Sequence, residues 1–278
     1  MSDEKQVAVI TGAASGIGLA LAKACLQRKM HVVMADNSKE KLSQSAANLS
    51  SFGGEIIQVD CDVARLSDLQ RLADTTMDYF HRVDLLINNA GISGPLAPLW
   101  ELTEAEIRKV MDINLFGVIH GIKVFLPLMF AQKHRSVIVN MASLYGLVSS
   151  SQVAPYSMSK HAIVSLSESL YFDLQNHNKP VDIAVVCPSF ANTALLFNSK
   201  PEEPNQLYQM MMELLERSRS PEEIADHILR EIDNKKFYIL PDKEVKHYCE
   251  QRVQGIMDQQ APNRHSLEKI MTALSKRA

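Results

Sequence analysis

No two cysteines in this chain stand at metal-ligand or redox spacing: Cys25, Cys61, Cys187 and Cys249 lie far apart, without a CxxC pair or a flanking histidine. That pattern argues against a zinc module or a disulfide framework and reads as four reduced, buried thiols. None of the nine histidines falls in an HxH or HExxH arrangement, so no metal site is expected. Basic residues are not in excess, with 29 Lys and Arg against 32 Asp and Glu, and a formal charge of −3 argues against nucleic acid as a partner. No apolar run approaches the length of a bilayer span, and the polar opening MSDEK leads almost at once into strand-like residues with no leader pattern. A cytoplasmic protein with no membrane partner is the expectation. Internal repeats and low-complexity linkers are also lacking, so the 278 residues read as one domain, 1–241, with a helical extension over 242–278 packed on it.

What is abundant is apolar residues, at 46%, set in a regular rhythm. Short Val- and Ile-rich runs at 6–10, 31–35, 55–59, 84–87, 136–140 and 182–187 alternate with helix-like stretches at about 16–29, 38–51, 65–80, 103–132 and 155–177. Strands with little polar alternation suit a sheet covered on both faces, hence a doubly wound α/β sandwich. After Pro188 the rhythm breaks into a loop, taken as a substrate lid over about 189–220. A capped helix from Ser220 and the strand-like KFYIL follow.

The first strand runs straight into TGAASGIGLALAKAC, with Gly12, Gly16 and Gly18 in the turn. Such a turn lets backbone N–H groups and a helix N-terminus approach a pyrophosphate, which makes Gly12, Ser15, Gly16, Ile17 and Gly18 candidate cofactor contacts. The second strand ends at Asp36, whose carboxylate can accept hydrogen bonds from an adenosine ribose and would repel a 2′-phosphate.

Further on, YSMSK places Tyr156 and Lys160 four residues apart. A phenol ordinarily titrates near pH ~10, and a cation within ~4–6 Å lowers that value, so an i,i+4 lysine can tune a tyrosine for proton transfer. Taken alone, the pair reads more readily as a tyrosine packed on a lysine stem.

Thr11, Gly12, Gly16 and Gly18 in TGxxxGxG resemble the short-chain dehydrogenase/reductase family, as do Asp62 and Val63, NNAG at Asn88 to Gly91, Asn114 in MDINLFG, Ser143 and YxxxK. Pro188 to Thr193 parallels that family's PGxxxT. The resemblance covers roughly residues 5 to 240 and implies a Rossmann-like three-layer sandwich with a mainly parallel seven-stranded sheet. It implies that Asp62 and Val63 hold the adenine, that Asn89, Ala90 and Gly91 wall the cofactor cleft, and that Pro188, Ser189, Phe190 and Thr193 face the nicotinamide. It further implies hydride transfer between nicotinamide and a secondary alcohol or ketone. Tyr156 is then the acid and base, Lys160 lowers its pKa and binds ribose, and Ser143 orients the substrate oxygen. Asn114 supports a proton relay, or is a structural amide bracing a helix kink. Residues Ser15 and Asn37, where the family carries a cation for NADP, are neutral, so NAD is the expected cofactor, with Lys39 and Lys41 on the solvated helix face.

Ser189 stands where the family has glycine, which tolerates backbone angles that serine resists and so suggests a reshaped loop. Leu144, Tyr145, Val148, Phe190, Leu195, Leu196, Phe197 and the run Met210 to Met212 are candidates for an apolar substrate cleft, although the methionines fit core packing equally well. Trp100, Phe116, Val118, Phe125, Leu166 and Leu170 offer apolar area for core or for a homodimer or homotetramer interface. A non-catalytic NAD sensor on the same fold is the alternative from another class. Nucleotide-sugar epimerases are disfavoured by the glycine spacing, and enoyl reductases by the close Tyr–Lys pair.

Overall fold

The computed structural model describes residues 5–191, 209, 212–213, 215–216, 218–262, 268–269 and 272. The calls on Thr193, Leu195, Leu196, Phe197, Met210 and Met211, and most of the lid and the last residues of the extension, lie outside the described residues.

Seven strands form one wholly parallel sheet. They are β1 (Val7–Thr11), β2 (His31–Asp36), β3 (Ile56–Asp60), β4 (Leu85–Asn88), β5 (Ser136–Met141), β6 (Val181–Val186) and β7 (Tyr238–Ile239), in the order β3-β2-β1-β4-β5-β6-β7. The two-residue period of a strand divides each one between two cores. Ala8, Ile10, Val32, Met34, Leu85 and Ile87 face one, while Val7, Val9, Val33, Ala35 and Leu86 face the other. Helices α1 (Gly16–Gln27) and α2 (Lys39–Leu49) cover the first face together with α7 (Pro221–Asp233). Across the sheet, α3 (Leu66–Phe80), α5 (Gly117–Ala131) and α6 (Ala154–Asn176) cover the second. Because every strand is parallel, all C-terminal ends share one edge. The chain crosses from β3 to β4 on the far side of β1, which opens a crevice between the ends of β1 and β4.

The long helix expected at 103–132 is not uniform. Helix α4 (Glu104–Met111), opened by a full capping box at Thr103 and Glu106, passes through a π turn at Asp112–Phe116 before α5 begins. There the Gly117 N–H donates to Asp112 O, five residues back, so one extra residue is taken up and Asn114 is turned into the interior.

The expectation that no apolar run nears a bilayer span also needs correction. The helical run Glu104–Ala131 has 28 residues and a window of mean hydropathy 1.7, long and apolar enough to cross a membrane by length and composition. Its apolarity serves the fold: Phe125 and Met129 are fully buried beneath it, and it packs on α3.

The apolar candidates separate along the same line, with Val118 and Phe125 in the core and Phe116 and Trp100 exposed. Burial pushes the thiols of Cys25, Cys61 and Cys187 up to about 12, the behaviour of inert core cysteines, while Cys249 is only half-buried. Helix α8 (Lys243–Met257) drives Val245 into a third apolar cluster with Leu144, Tyr145, Tyr156 and Leu215.

Candidate active site

A cleft of about 460 Å³ opens over the β1–β4 crevice. One end is made of backbone and polar groups. Gly12 and Gly16 adopt left-handed conformations (φ +65° and +54°), and a Cβ on Gly18 would lie 2.2 Å from Gly12 O. The turn therefore folds onto the start of α1 as only glycine permits. Ser15, the N-cap of α1, makes no side-chain cap bond, and the first turn carries no acidic residue, so its N–H groups face the cleft without a competing anion.

Asp36 braces this turn. Its Oδ2 accepts from the Ala14 N–H and its Oδ1 from the Ser38 N–H, each at 3.0 Å, and each oxygen keeps a second acceptor position for a ligand hydroxyl. Asn89 does more than wall the cleft: its Nδ2 donates to Thr11 O (2.9 Å) and Gly12 O (3.2 Å). The N–H groups of Asn89 and Ala90 converge on Thr11 Oγ1, tying the ends of β1 and β4 together. Asp62 and Val63 line the same end; Asp62 Oδ1 caps its own loop at the Ala64 N–H (3.1 Å). Lys41 is solvent-exposed, as expected, and also lines the cleft beside Asp36, Asn37 and Ser38, as does Lys109 from α4.

The other end is apolar and carries the chemistry. Helix α6 begins with Pro155 in its first turn and sets Tyr156 and Lys160 on its cleft-facing side. Lys160 Nζ sits 5.6 Å from the Tyr156 ring centroid and donates to Met141 O at 2.8 Å. Ser143, just beyond β5, lines the cleft close enough to Tyr156 for its hydroxyl to favour the phenolate. Its Oγ also accepts from the Tyr145 N–H at 3.2 Å.

The net direction at Tyr156 is set by burial. Burial raises the Tyr156 phenol above its ordinary value, and the Ser143 hydroxyl opposes this without overcoming it. Desolvation also lowers Lys160 from 10.5 to about 8. In the protein alone, then, the phenol is held as a proton donor.

A lysine depressed in this way costs stability while it is charged in both folded and unfolded states. The cost is relieved between about 8 and 10.5, where the folded lysine is neutral and the unfolded one is not. The cofactor-free wild type should therefore gain stability relative to Lys160→Met between about pH 7 and about pH 9.5, by up to ~1.4 kcal/mol per pH unit once past the lower pKa. Urea unfolding at the two pH values measures this, and a constant difference between the proteins would contradict it.

Asn114 is wholly buried, and each of its bonds is structural. Its Oδ1 accepts from the Ile92 N–H (2.8 Å), and its Nδ2 donates to Ile92 O (2.9 Å) and to Ser159 Oγ (3.0 Å). It braces the π turn against the loop after β4 and the helix bearing Tyr156, so its side chain holds the machinery in place.

Pro188 O accepts from the Leu144 N–H at 2.7 Å, and Phe190 meets Tyr145 edge-on at 6.5 Å. Ser189 does not adopt a left-handed conformation, so the serine is unstrained in the loop as it stands. Leu144, Tyr145 and Phe190 line the apolar end, joined by Leu96, Val153 and Leu215, which sequence reasoning missed. Met212 packs on the Tyr145 cluster without lining the cleft, as does Val148. Glu268 accepts from Ser150 Oγ and from the Ser151 N–H (2.8 Å), fastening the far end of the chain to the loop that leads into α6.

Residues 6–204 match the family model described as short chain dehydrogenase. The chain belongs to the short-chain dehydrogenase family. This short-chain dehydrogenase is similar to the CLA biosynthesis dehydrogenase/reductase of Lactiplantibacillus plantarum, at 32% identity over 98% of this chain and 100% of that protein. It is 36% identical to human 15-hydroxyprostaglandin dehydrogenase [NAD(+)], over 71% of this chain and 73% of the relative. Its fold matches the crystal structure of a short chain dehydrogenase/reductase from Burkholderia phymatum in complex with NAD, with TM-score 0.87 and 34% identity, covering 95% of this chain and 98% of that one. The family and these relatives mark it as an alcohol dehydrogenase-type oxidoreductase, and the seven-stranded Rossmann-like sheet agrees.

Proposed function

We propose that this protein is an NAD-dependent dehydrogenase or ketoreductase acting on a hydrophobic secondary alcohol or ketone. The observation that carries the reading is the convergence of Ser143, Tyr156 and Lys160 at the apolar end of a cleft whose other end is a glycine turn braced by Asp36. The residues fit a dinucleotide: the space beside Gly18 is too tight for a Cβ, and Asp36 retains acceptor positions toward the cleft. When bound, NAD supplies a hydride acceptor at its nicotinamide ring. In ketone reduction Ser143 would donate to the substrate oxygen and the protonated Tyr156 would give it its proton; alcohol oxidation would run the same transfers backwards, with the Tyr156 phenolate taking the hydroxyl proton. Lys160, with two N–H donors left beyond its bond to Met141 O, holds the ribose and keeps a cation beside the phenol.

NAD is favoured over NADP by the Asp36 carboxylate and by the neutral Ser15 and Asn37, and the human relative's NAD(+) designation points the same way. Lys41 at that end pulls toward the 2′-phosphate, so the balance is measurable. With a panel of secondary alcohols and ketones graded by size and polarity, kcat/KM for NAD should exceed that for NADP by about tenfold or more, the scale of one unfavourable charge contact. Equal efficiency with both would sink the cofactor assignment. A preference for small polar alcohols would sink the substrate class suggested by Leu96, Leu144, Tyr145, Phe190 and Leu215. We further propose a homodimer or homotetramer; sedimentation of a monomer at micromolar concentration would rule this out.

A further inference from the structure

Asp242 is an N-cap residue that does not cap. It stands at the start of α8, where an aspartate ordinarily accepts from the second or third N–H of its own helix, yet it makes no such bond. The side chain is buried, 6% exposed, and Oδ2 reaches back 53 residues to accept from the Ser189 N–H at 2.8 Å. Oδ1 lies 3.6 Å from Arg219 Nη1, and that same nitrogen donates to Pro241 O at 2.6 Å. Arg219 in turn pairs through its backbone with Ala191. The three residues 189–191 are thus gripped by Asp242 at one end and by Arg219 at the other.

All three line the cleft. Phe190 carries their position onward: it meets Tyr145 edge-on at 6.5 Å, and Tyr145 meets Tyr156 edge-on at 6.1 Å. A shift of the Ser189 loop therefore reaches the aromatic wall beside the proton-transfer group. An aspartate that forgoes its own helix, buries its charge and spends its best acceptor on one distant N–H is placed for that N–H.

We propose that Asp242 is a positioning residue of the reaction site, setting the Ser189–Phe190 wall of the substrate end through the Ser189 N–H without itself touching substrate. The proposal rests on the reading of this cleft as an alcohol and ketone site. The Arg219 ion pair is secondary, since Arg219 is more than one-third exposed and water screens it.

The test uses the full chain as wild type, Asp242→Asn and Asp242→Ala. Asparagine keeps an acceptor oxygen in place and removes the charge; alanine removes both. Alanine should lower kcat/KM for the alcohol by on the order of 10- to 100-fold, the scale of a misplacement of about 1 Å. NAD affinity, dominated by the distant glycine turn, should stay within about threefold. Asparagine should recover most of the loss. Alanine within about twofold of wild type, or asparagine as impaired as alanine, would overturn the proposal.

Should alanine fail to fold, hydrogen exchange in the wild type decides instead. The Ser189 amide should be strongly protected, and exchange as fast as in an open loop would refute the contact. A wild type that binds NAD but transfers no hydride across the panel would count against the functional reading alone, and Ser189 exchange would then judge the contact by itself.

Discussion

Tyr156→Phe should abolish hydride transfer and leave NAD binding almost unchanged. The substitution removes one atom, the hydroxyl oxygen beside Ser143 at the reacting end of the cleft, and leaves the ring packed among Leu144, Tyr145 and Val153. Loss of a positioned acid–base group costs about 10²–10⁴ in rate. The upper part of that range applies here, because Tyr156 is the group proposed to carry the proton in both directions. The fold should barely notice. Ser143 Oγ still accepts from the Tyr145 N–H, and one lost hydrogen bond costs about 0.5–1.5 kcal/mol. NADH absorbance against a secondary alcohol gives the rate, and fluorescence titration gives cofactor affinity. Turnover within a few-fold of wild type would remove Tyr156 from the mechanism.

The second large effect is expected at Gly18. A methyl there would sit 2.2 Å from Gly12 O, 2.5 Å from Asn89 Nδ2 and 2.9 Å from Gly12 C. Two of these are backbone atoms, and the third belongs to an amide whose bonds to Thr11 O and Gly12 O join β1 to β4. None can retreat alone, so the turn must open. Gly18→Ala should cost about 1–3 kcal/mol or more, as overpacking does, and should weaken NAD binding by at least about tenfold because the turn that faces the pyrophosphate is the part displaced. Gly53→Ala is the control: its Cβ meets nothing within 4 Å, and reduced freedom of the unfolded chain should leave stability equal or up to ~1 kcal/mol higher. Equal melting temperatures and equal NAD affinity for both variants would show that the close approach at Gly18 has been misread.

What could be read from the sequence divides by range. The strands announce themselves because burial on both faces leaves runs such as VAVIT and HVVMAD with hardly a polar interruption. The glycine turn and the Tyr156–Lys160 spacing are equally local, each held within a few consecutive residues. Asp242 carries no such mark, since its partner Ser189 lies 53 residues away and only the adjacency of β6 and β7 brings them together. The π turn at Asp112–Phe116 has no proline or glycine inside it to betray it, so the bracing of Asn114 by Ile92 and Ser159 was not legible from the sequence. The net direction at Tyr156 is likewise a matter of range. Spacing shows that a cation is near, but the depth of burial that raises the phenol is a property of the whole fold.

The strand order has one more consequence, for the chain as it emerges from the ribosome. Strand β1 is made first and ends in the middle of the sheet, between β2 and β4, yet β4 begins only at Leu85. Until then one side of β1 offers unpaired N–H and C=O groups and a bare Val and Ile surface to any neighbouring nascent chain. Closure of that gap pairs residues as distant as Ala8 and Leu85, the kind of long-range step that slows folding and invites association of incomplete chains. The arrangement that places the crevice between β1 and β4 thus leaves β1 waiting for a partner made much later in the chain.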